Sequence, residues 1–311
     1  MRTPAKVGVY AAGLVAVFVA AYGLGGLVGD GGPAKEPATH HGASGPSGAA
    51  ADTPGGLQVS SGGYTLDLET ARAAAAGETP VRFTIRDASG KPVTAYETVH
   101  DKELHLIVAD RDLRVFRHVH PTRDGAGVWS TTVDLPSAGS HRVFADFTPE
   151  GGQGLTLGAD LAVPGEYRPA ALPEPSAKAE ADGYTVEMRG NVAAGSSSTV
   201  TFAVRKDGRP VAGLEPYLGA YGHLVALRAG DLAYLHVHPA EEAGAGVSDS
   251  PEVAFAVSAP SAGAYRLFLD VKIDGVVRTA AFTLVTGQAT VSPSPVPSVS
   301  DGHGGHGDHT H

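Results

Sequence analysis

The feature that most constrains this chain is an internal duplication. The segment 91–121 aligns without a gap with the segment 209–239. Most positions differ between the copies, but a short set is identical and includes three histidines; in the first copy the set is Pro92, Val93, Glu97, His105, Leu106, His118, Val119, His120 and Pro121. The duplication predicts two similar domains with one histidine triplet each, namely His105, His118 and His120, and His223, His236 and His238.

The residues between the turns predict β-strands. Each copy contains short alternating or apolar runs separated by glycine, proline and aspartate, a pattern typical of strands and turns. In the first copy we expect strands near 64–70, 81–87, 103–110, 113–120, 128–135, 141–148 and 154–163. The turn and strand at 136–146 recur at 260–270. The predicted fold class is all-β, with two tandem immunoglobulin-like antiparallel β-sandwich domains after an N-terminal transmembrane helix.

The predicted organisation follows from these repeats and from the composition of the segments around them. Segments rich in glycine, proline, alanine and serine predict spacers. The expected divisions are a cytoplasmic N-terminus at 1–6, an anchor at 7–29, a flexible spacer at 30–56, the first sandwich at 57–164, a linker at 165–181, the second sandwich at 182–286 and a histidine-rich tail at 287–311.

The N-terminal segment predicts the location of the protein. Arg2 and Lys6 precede the segment 7–29, which contains no charged residue. A helix of that length spans a bilayer, and its positive flank stays inside. We therefore expect a single-pass protein of the cell membrane whose C-terminal ectodomain lies outside the cytoplasm. A cleaved signal peptide is the alternative, since it has the same order of charged and apolar regions.

Composition narrows the classes of function. The formal net charge of -10 disfavours a nucleic-acid partner. The chain has no cysteine, which removes disulfides, thiolate metal ligands and cysteine nucleophiles. We find no Gly-x-Ser-x-Gly elbow, no phosphate-binding glycine loop and no His-Glu-x-x-His motif. The sequence therefore favours a binding protein over an enzyme.

The triplets predict a metal site. Residues two apart in a strand point to one face at about 6.8 Å along the chain, so His118 and His120 can converge on one ion. His105 lies in the neighbouring strand of the same predicted hairpin. Neutral imidazoles suit Zn²⁺ or Cu²⁺. A fourth ligand would be water, or Asp146 in the first copy and Asp270 in the second.

Two other interpretations of the triplets are open. Histidines next to apolar residues also occur as hydrogen-bonded structural residues within a domain or between domains, and imidazoles titrate near neutrality and form pH-responsive contacts. With structural histidines, the protein would be a non-enzymatic surface interaction module for a protein partner. The tail is a separate candidate for metal binding, because glycine-spaced histidines offer weak, interchangeable ligands; they are His303, His306, His309 and His311.

Three motifs carry a resemblance to known proteins. They are His-Leu-Ile-Val at 105–108, His-Val-His-Pro at 118–121 and Pro-Ser-Ala-Gly-x-x-Arg-Val-Phe-Ala-Asp at 136–146. This series resembles the exported, anchored, double-repeat proteins of high-GC Gram-positive bacteria, whose domains are similar to the immunoglobulin-like YtkA-like and CopC-like copper-resistance families. The resemblance covers about residues 57–286 and implies an exported β-sandwich connected with copper. Met1 and Met188 are the only methionines, so a methionine-rich Cu⁺ site is not expected.

Overall fold

The computed structural model describes residues 53–287, except His236 and Ala245. In this part of the chain the regular elements are nineteen β-strands: β1 Ser60–Ser61, β2 Tyr64–Leu68, β3 Gly77–Arg86, β4 Leu104–Asp110, β5 Phe116–Val119, β6 Thr122–Arg123, β7 Val128–Leu135, β8 Gly139–Phe147, β9 Leu155–Val163, β10 Lys178–Ala181, β11 Tyr184–Arg189, β12 Ser197–Lys206, β13 Arg209–Pro210, β14 His223–Arg228, β15 Tyr234–Leu235, β16 Val237–Pro239, β17 Glu252–Ser258, β18 Gly263–Ile273 and β19 Val276–Thr286.

The predicted anchor at 7–29, most of the predicted spacer at 30–56 and the predicted tail from residue 288 onward lie outside the described residues. No helix within 53–287 has the length and apolar character needed to cross a membrane. The predicted transmembrane segment 7–29 is not part of that range, so it stays a prediction.

Each repeat is a sandwich of two antiparallel sheets. In the first repeat the sheet orders are β1-β2-β3-β7-β6 and β5-β4-β8-β9. In the second they are β10-β11-β12-β17-β16, with β13 on β12, and β15-β14-β18-β19. This arrangement of strands is immunoglobulin-like. The all-β prediction with two antiparallel immunoglobulin-like sandwiches is therefore confirmed.

Alternating apolar residues build the core of each sandwich. Val81, Phe83 and Ile85 lie at every second position of β3 and are fully buried. They pack with Leu106 and Val108 of β4 from the opposite sheet. The second repeat uses the same arrangement, with β12 and β14 supplying a corresponding cluster. Since period-two burial places one face of each strand inside, the sequence pattern and the sheets agree.

The central strands β4 and β14 are buried on both faces. Ile107 and Ala109 alternate with the core residues of β4 and point away from its own sandwich. They join a third cluster together with Val225 and Leu227 of β14. The sheets that contain these strands therefore pack against each other, and the two repeats share a core of their own.

The contact between the repeats is reciprocal. Phe116 stacks on Phe268 with ring centroids 4.0 Å apart and an interplanar angle of 5°. Phe144 meets Tyr234 at 5.9 Å. Tyr234 occupies the position of Phe116 in the second repeat, and Phe268 the position of Phe144. Each repeat thus offers the same two positions to the other, which is the rule for a two-fold interface.

The segments flanking the first repeat are attached to this interface. The Gly56 amide donates to the Thr156 carbonyl at 2.8 Å, and the Tyr234 amide of the second repeat donates to the Gly55 carbonyl at 2.9 Å. In the linker, Leu172 packs on the third cluster, and the Arg114 guanidinium donates to the Ala171 carbonyl at 2.7 Å. The segment before the first repeat and the linker after it therefore both add contacts at the interface between the repeats.

Candidate metal centre

Strand register brings the first triplet together. Leu106 pairs with Val119, and Ile107 pairs with His118. This register continues so that His105 and His120 face each other on the side of the sheet that meets the second repeat. The Nδ1 atom of His105 lies 3.2 Å from Nε2 of His118 and 3.2 Å from Nε2 of His120. One ligand atom from each of the three residues falls within 4.8 Å of the others.

The remaining ring nitrogens are engaged by acceptors. Nε2 of His105 lies 3.2 Å from the Val99 carbonyl, and Nδ1 of His118 lies 2.8 Å from Oδ2 of Asp270. We assign a proton to each of these nitrogens because their partners only accept. In neutral rings, Nδ1 of His105 and Nε2 of His118 then carry lone pairs that point at each other. Histidine ligands of metals characteristically donate their outer N–H to a carbonyl or carboxylate in this way.

The spacing of the three nitrogens suits a bound ion. Nitrogens about 2.0–2.1 Å from a tetrahedral metal are separated by about 3.3–3.4 Å, close to the two distances of 3.2 Å found here. A single lone pair on Nδ1 of His105 cannot accept good hydrogen bonds from both other histidines. A cation among the three nitrogens satisfies all of them at once.

Burial keeps these imidazoles in the form that binds metals. Desolvation, followed by the neighbouring His118 charge, lowers the pKa of His105 to about 4 and the pKa of His120 to about 3. The same two causes hold the pKa of His223 well below its usual range. Since ligation requires neutral imidazole, these side chains need not lose a proton to bind an ion at neutral pH.

The second repeat contributes directly to this cluster. The His223 ring lies 4.7 Å from the His118 ring and 5.4 Å from the His105 ring. The His118 and Asp270 side chains are only 2% and 3% exposed. His118, His223 and Asp270 form a second group of ligand atoms within 4.8 Å. The structure therefore brings the first triplet together and adds His223 and Asp270 to it.

The other residues of the second triplet lie elsewhere or outside the described residues. His238 is exposed on β16, where it pairs with Ala256 in the opposite sheet. The chain leaves β14 after Leu235, whereas in the first repeat β5 follows β4 as far as Val119. His236 is not described. The histidines His303, His306, His309 and His311 also lie outside the described range, so their role stays a prediction.

The two aspartates have different surroundings. Asp146 pairs with His105 in register, as Asp270 pairs with His223. Oδ1 of Asp146 accepts a hydrogen bond from Thr156 at 2.9 Å, and burial raises the pKa of this carboxyl group. It is Asp270, from the other repeat, whose carboxylate contacts the first triplet.

Two further residues border the cluster. The His100 ring lies 6.1 Å from His105 and 5.8 Å from His223. The Tyr217 ring lies 6.4 Å from His120, and burial, with a contribution from the Asp270 charge, raises the Tyr217 pKa to about 12. The repeat alignment gave no signal for either, because His100 aligns with Leu218 and Tyr217 with Val99. Their positions depend on the packing of the repeats.

A strained turn holds the outer side of the centre. His100 and Asp101 have φ angles of 50° and 61°, which non-glycine residues rarely adopt. The amide of Val99 pairs with the carbonyl of Lys102 at 2.9 Å, so these residues form a tight turn. The turn directs the Val99 carbonyl at Nε2 of His105 and thereby fixes the tautomer of that ring.

A cavity of about 680 Å³ opens beside the centre. Its lining includes His100, His105 and His223, and also Asp146, Tyr234 and His238. The cavity gives the imidazoles of His105 and His223 a route to solvent. An ion entering by this route would meet side chains of both repeats.

Fold and site together define a tandem immunoglobulin-like protein with a histidine cluster where its repeats meet. The family model described as "Domain of unknown function (DUF8832)" matches residues 58–165 and 179–288. The chain belongs to this family and contains two copies of its domain. No curated protein sequence matches the chain.

Solved structures show similarity at low sequence identity. The Escherichia coli adhesin FdeC is 17% identical over 73% of this chain and 65% of its own, with a TM-score of 0.25. The Yersinia pseudotuberculosis adhesin InvE is 16% identical over 73% and 60%, with a TM-score of 0.24. A Salmonella alpha-2-macroglobulin is 13% identical over 75% and 15%, with a TM-score of 0.27. The chain spans less than two-thirds of the length of these proteins.

Proposed function

We propose that this protein binds a divalent transition-metal ion, Cu²⁺ or Zn²⁺, through His105, His118 and His120. The observation that carries the proposal is the convergence of three ring nitrogens, with two of the rings held by an outer hydrogen bond. A water molecule from the adjoining cavity would complete a four-coordinate site. The protein captures the ion and does not use it for catalysis.

The expected setting is metal homeostasis or resistance outside the cytoplasm. The predicted membrane anchor and the histidine-rich tail support this setting, as does the resemblance to the YtkA-like and CopC-like families. In this proposal the tail collects ions loosely, and the buried imidazoles hold one ion in a fixed geometry. Imidazole ligands without methionine or cysteine favour Cu²⁺ and Zn²⁺ over Cu⁺.

The second candidate function is a surface interaction module with structural histidines. The observation that favours it is the His118–Asp270 pair, which joins the two repeats with both side chains buried. A protonated His118 would donate to Asp270 on one side and to His105 on the other. In that case the cluster fixes the geometry of the two sandwiches, and a protein partner binds elsewhere on them.

Metal binding by the full chain separates the two candidates. The four tail histidines are replaced by alanine so that they cannot contribute, and Cu²⁺ and Zn²⁺ binding is measured by titration calorimetry at neutral pH. We expect a site that is lost in H120A and kept in H238A, because the equivalent His238 lies in a different sheet. Thermal unfolding should shift upward with the ion, since the ligand stabilises the native state. Absence of binding with an intact fold would favour the interaction module.

A further inference from the structure

His118 lies between two groups of ligand atoms. Its Nε2 atom faces His105 at 3.2 Å, and its Nδ1 atom faces Asp270 at 2.8 Å. The first group contains His105 and His120, and the second contains His223 and Asp270. One imidazole ring therefore separates a set of ligands from the first repeat and a set from the second repeat.

The second group has an unsatisfied buried atom. Nδ1 of His223 is buried and makes no hydrogen bond within the described residues. Buried polar atoms of this kind are rare in native structures and call for a partner. His223 shares a group of ligand atoms with His118 and Asp270. A metal ion that accepts an electron pair from each of the three side chains would satisfy Nδ1 of His223.

The carboxylate in this group also lacks a permanent positive partner. Asp270 is buried, and its two oxygens contact Thr279 at 2.5 Å and His118 at 2.8 Å. Within the part of the chain that the structure describes, no lysine or arginine pairs with it. A buried carboxylate is costly unless it is paired or coordinates a metal. Two imidazole nitrogens and one carboxylate oxygen form a common ligand set for Zn²⁺ and also bind Cu²⁺.

We propose that the centre holds a second ion, bound by Nδ1 of His118, His223 and Asp270, so that His118 bridges two metals as an imidazolate. The N–H bond at Nδ1 of His118 breaks, a metal–nitrogen bond forms, and the proton leaves to solvent through the adjoining cavity. No electron is transferred. This inference rests on the proposed function, because the bridge requires the first ion at Nε2.

A second ion would join the two repeats. His118 belongs to β5 of the first repeat, whereas His223 and Asp270 belong to β14 and β18 of the second. The competing arrangement has one ion only, with Asp270 accepting the His118 proton as an outer hydrogen-bond partner. The two arrangements differ in the number of ions bound and in the protons released.

The test uses the full chain with its four tail histidines replaced by alanine and Cu²⁺ as the probe. Metal analysis after gel filtration should give two ions per chain. Electron paramagnetic resonance should give a full Cu²⁺ signal at one equivalent and a weaker one at two, because copper ions bridged by imidazolate couple magnetically. One bound ion with an undiminished signal would overturn the inference and leave the proposed function intact. Absence of any binding would overturn both.

Single-residue variants test which side chains bind the second ion. H223A and D270N should bind one ion with a full resonance signal, whereas D160N, which removes a carboxylate on β9 whose side chain is 55% exposed, should still bind two. Near-ultraviolet circular dichroism checks that each variant keeps its fold. Two coupled ions in both H223A and D270N would overturn the assignment of these residues as ligands. If one variant fails to fold, the ion count and the resonance signal of the parent chain still test the inference.

Discussion

At the scale of single residues, the position of each donor atom determines what the centre can bind. His105 has its Nε2 atom on the Val99 carbonyl and its Nδ1 atom directed at two other imidazoles. His118 has its Nδ1 atom on the Asp270 carboxylate and its Nε2 atom directed at His105. These outer contacts orient the rings, which would reduce the ordering that binding of the proposed ion requires.

Gly56 lies where the N-terminal segment closely approaches the interface between the repeats. Gly56 has a φ of +73°, and a Cβ atom added there would lie 2.4 Å from Cδ1 of Phe144. We expect G56A to lower the free energy of unfolding by about 1–3 kcal/mol, the usual cost of overpacking. Urea denaturation of G56A and of the parent chain measures this difference in the free energy of unfolding.

The matched control is G62A. Gly62 has a φ of +60°, and nothing lies within 4 Å of the added atom. This control has the backbone strain without the clash. Equal losses for the two variants would contradict the close contact between Gly56 and Phe144.

At the scale of the elements, the sequence predicted most of the strands. The predicted strands near 128–135 and 154–163 correspond to β7 Val128–Leu135 and β9 Leu155–Val163. Alternation and turn residues are local signals, so they locate strands well. The prediction of one strand over 113–120 was too long, because β5 begins at Phe116 after a turn in which Leu113 has a φ of 55°.

The arrangement of the second triplet was not predictable from the repeat. The same His-Val-His-Pro sequence stays with the β4 sheet in the first copy and reaches β17 in the second. The second histidine of that motif, His120 in the first copy and His238 in the second, therefore has different surroundings in the two copies. Likewise, the contact of His118 with Asp270 joins positions far apart in the sequence, and only the packing of the repeats brings them together.

Because β4 is buried on both faces, a substitution on its outer face should cost more stability than one at an exposed strand position. Ile107 is fully buried in the cluster between the repeats. We expect I107A to cost about 2–5 kcal/mol in the free energy of unfolding, as for other buried isoleucines. V285A, on β19 where the side chain is 64% exposed, should change it by about 0.5 kcal/mol or less. Similar small effects in both variants would show that the outer face of β4 is not a core.

At the scale of the whole described chain, the repeats are joined more closely than their sequence suggests. The composition of 165–181 predicts a spacer between two domains. The structure adds a shared apolar cluster, the reciprocal aromatic contacts and the His118–Asp270 pair. The repeats therefore stabilise each other.

Limited proteolysis tests this coupling. Most residues of 165–177 are exposed, so we expect a protease to cut there first. The two fragments should stay together on gel filtration and separate only in denaturant, because the shared cluster is independent of the linker. Fragments that elute separately in native buffer would show that the contact between the repeats is weak.

The most direct measurement of the central claim is the location of a bound ion. A crystal of the full chain with its four tail histidines replaced by alanine, grown with Zn²⁺, is measured at the zinc absorption edge. The anomalous map should show a peak among Nδ1 of His105, Nε2 of His118 and Nε2 of His120. The claim would be contradicted by a zinc-loaded crystal with anomalous peaks only at other positions and with these three imidazoles still in direct contact with one another.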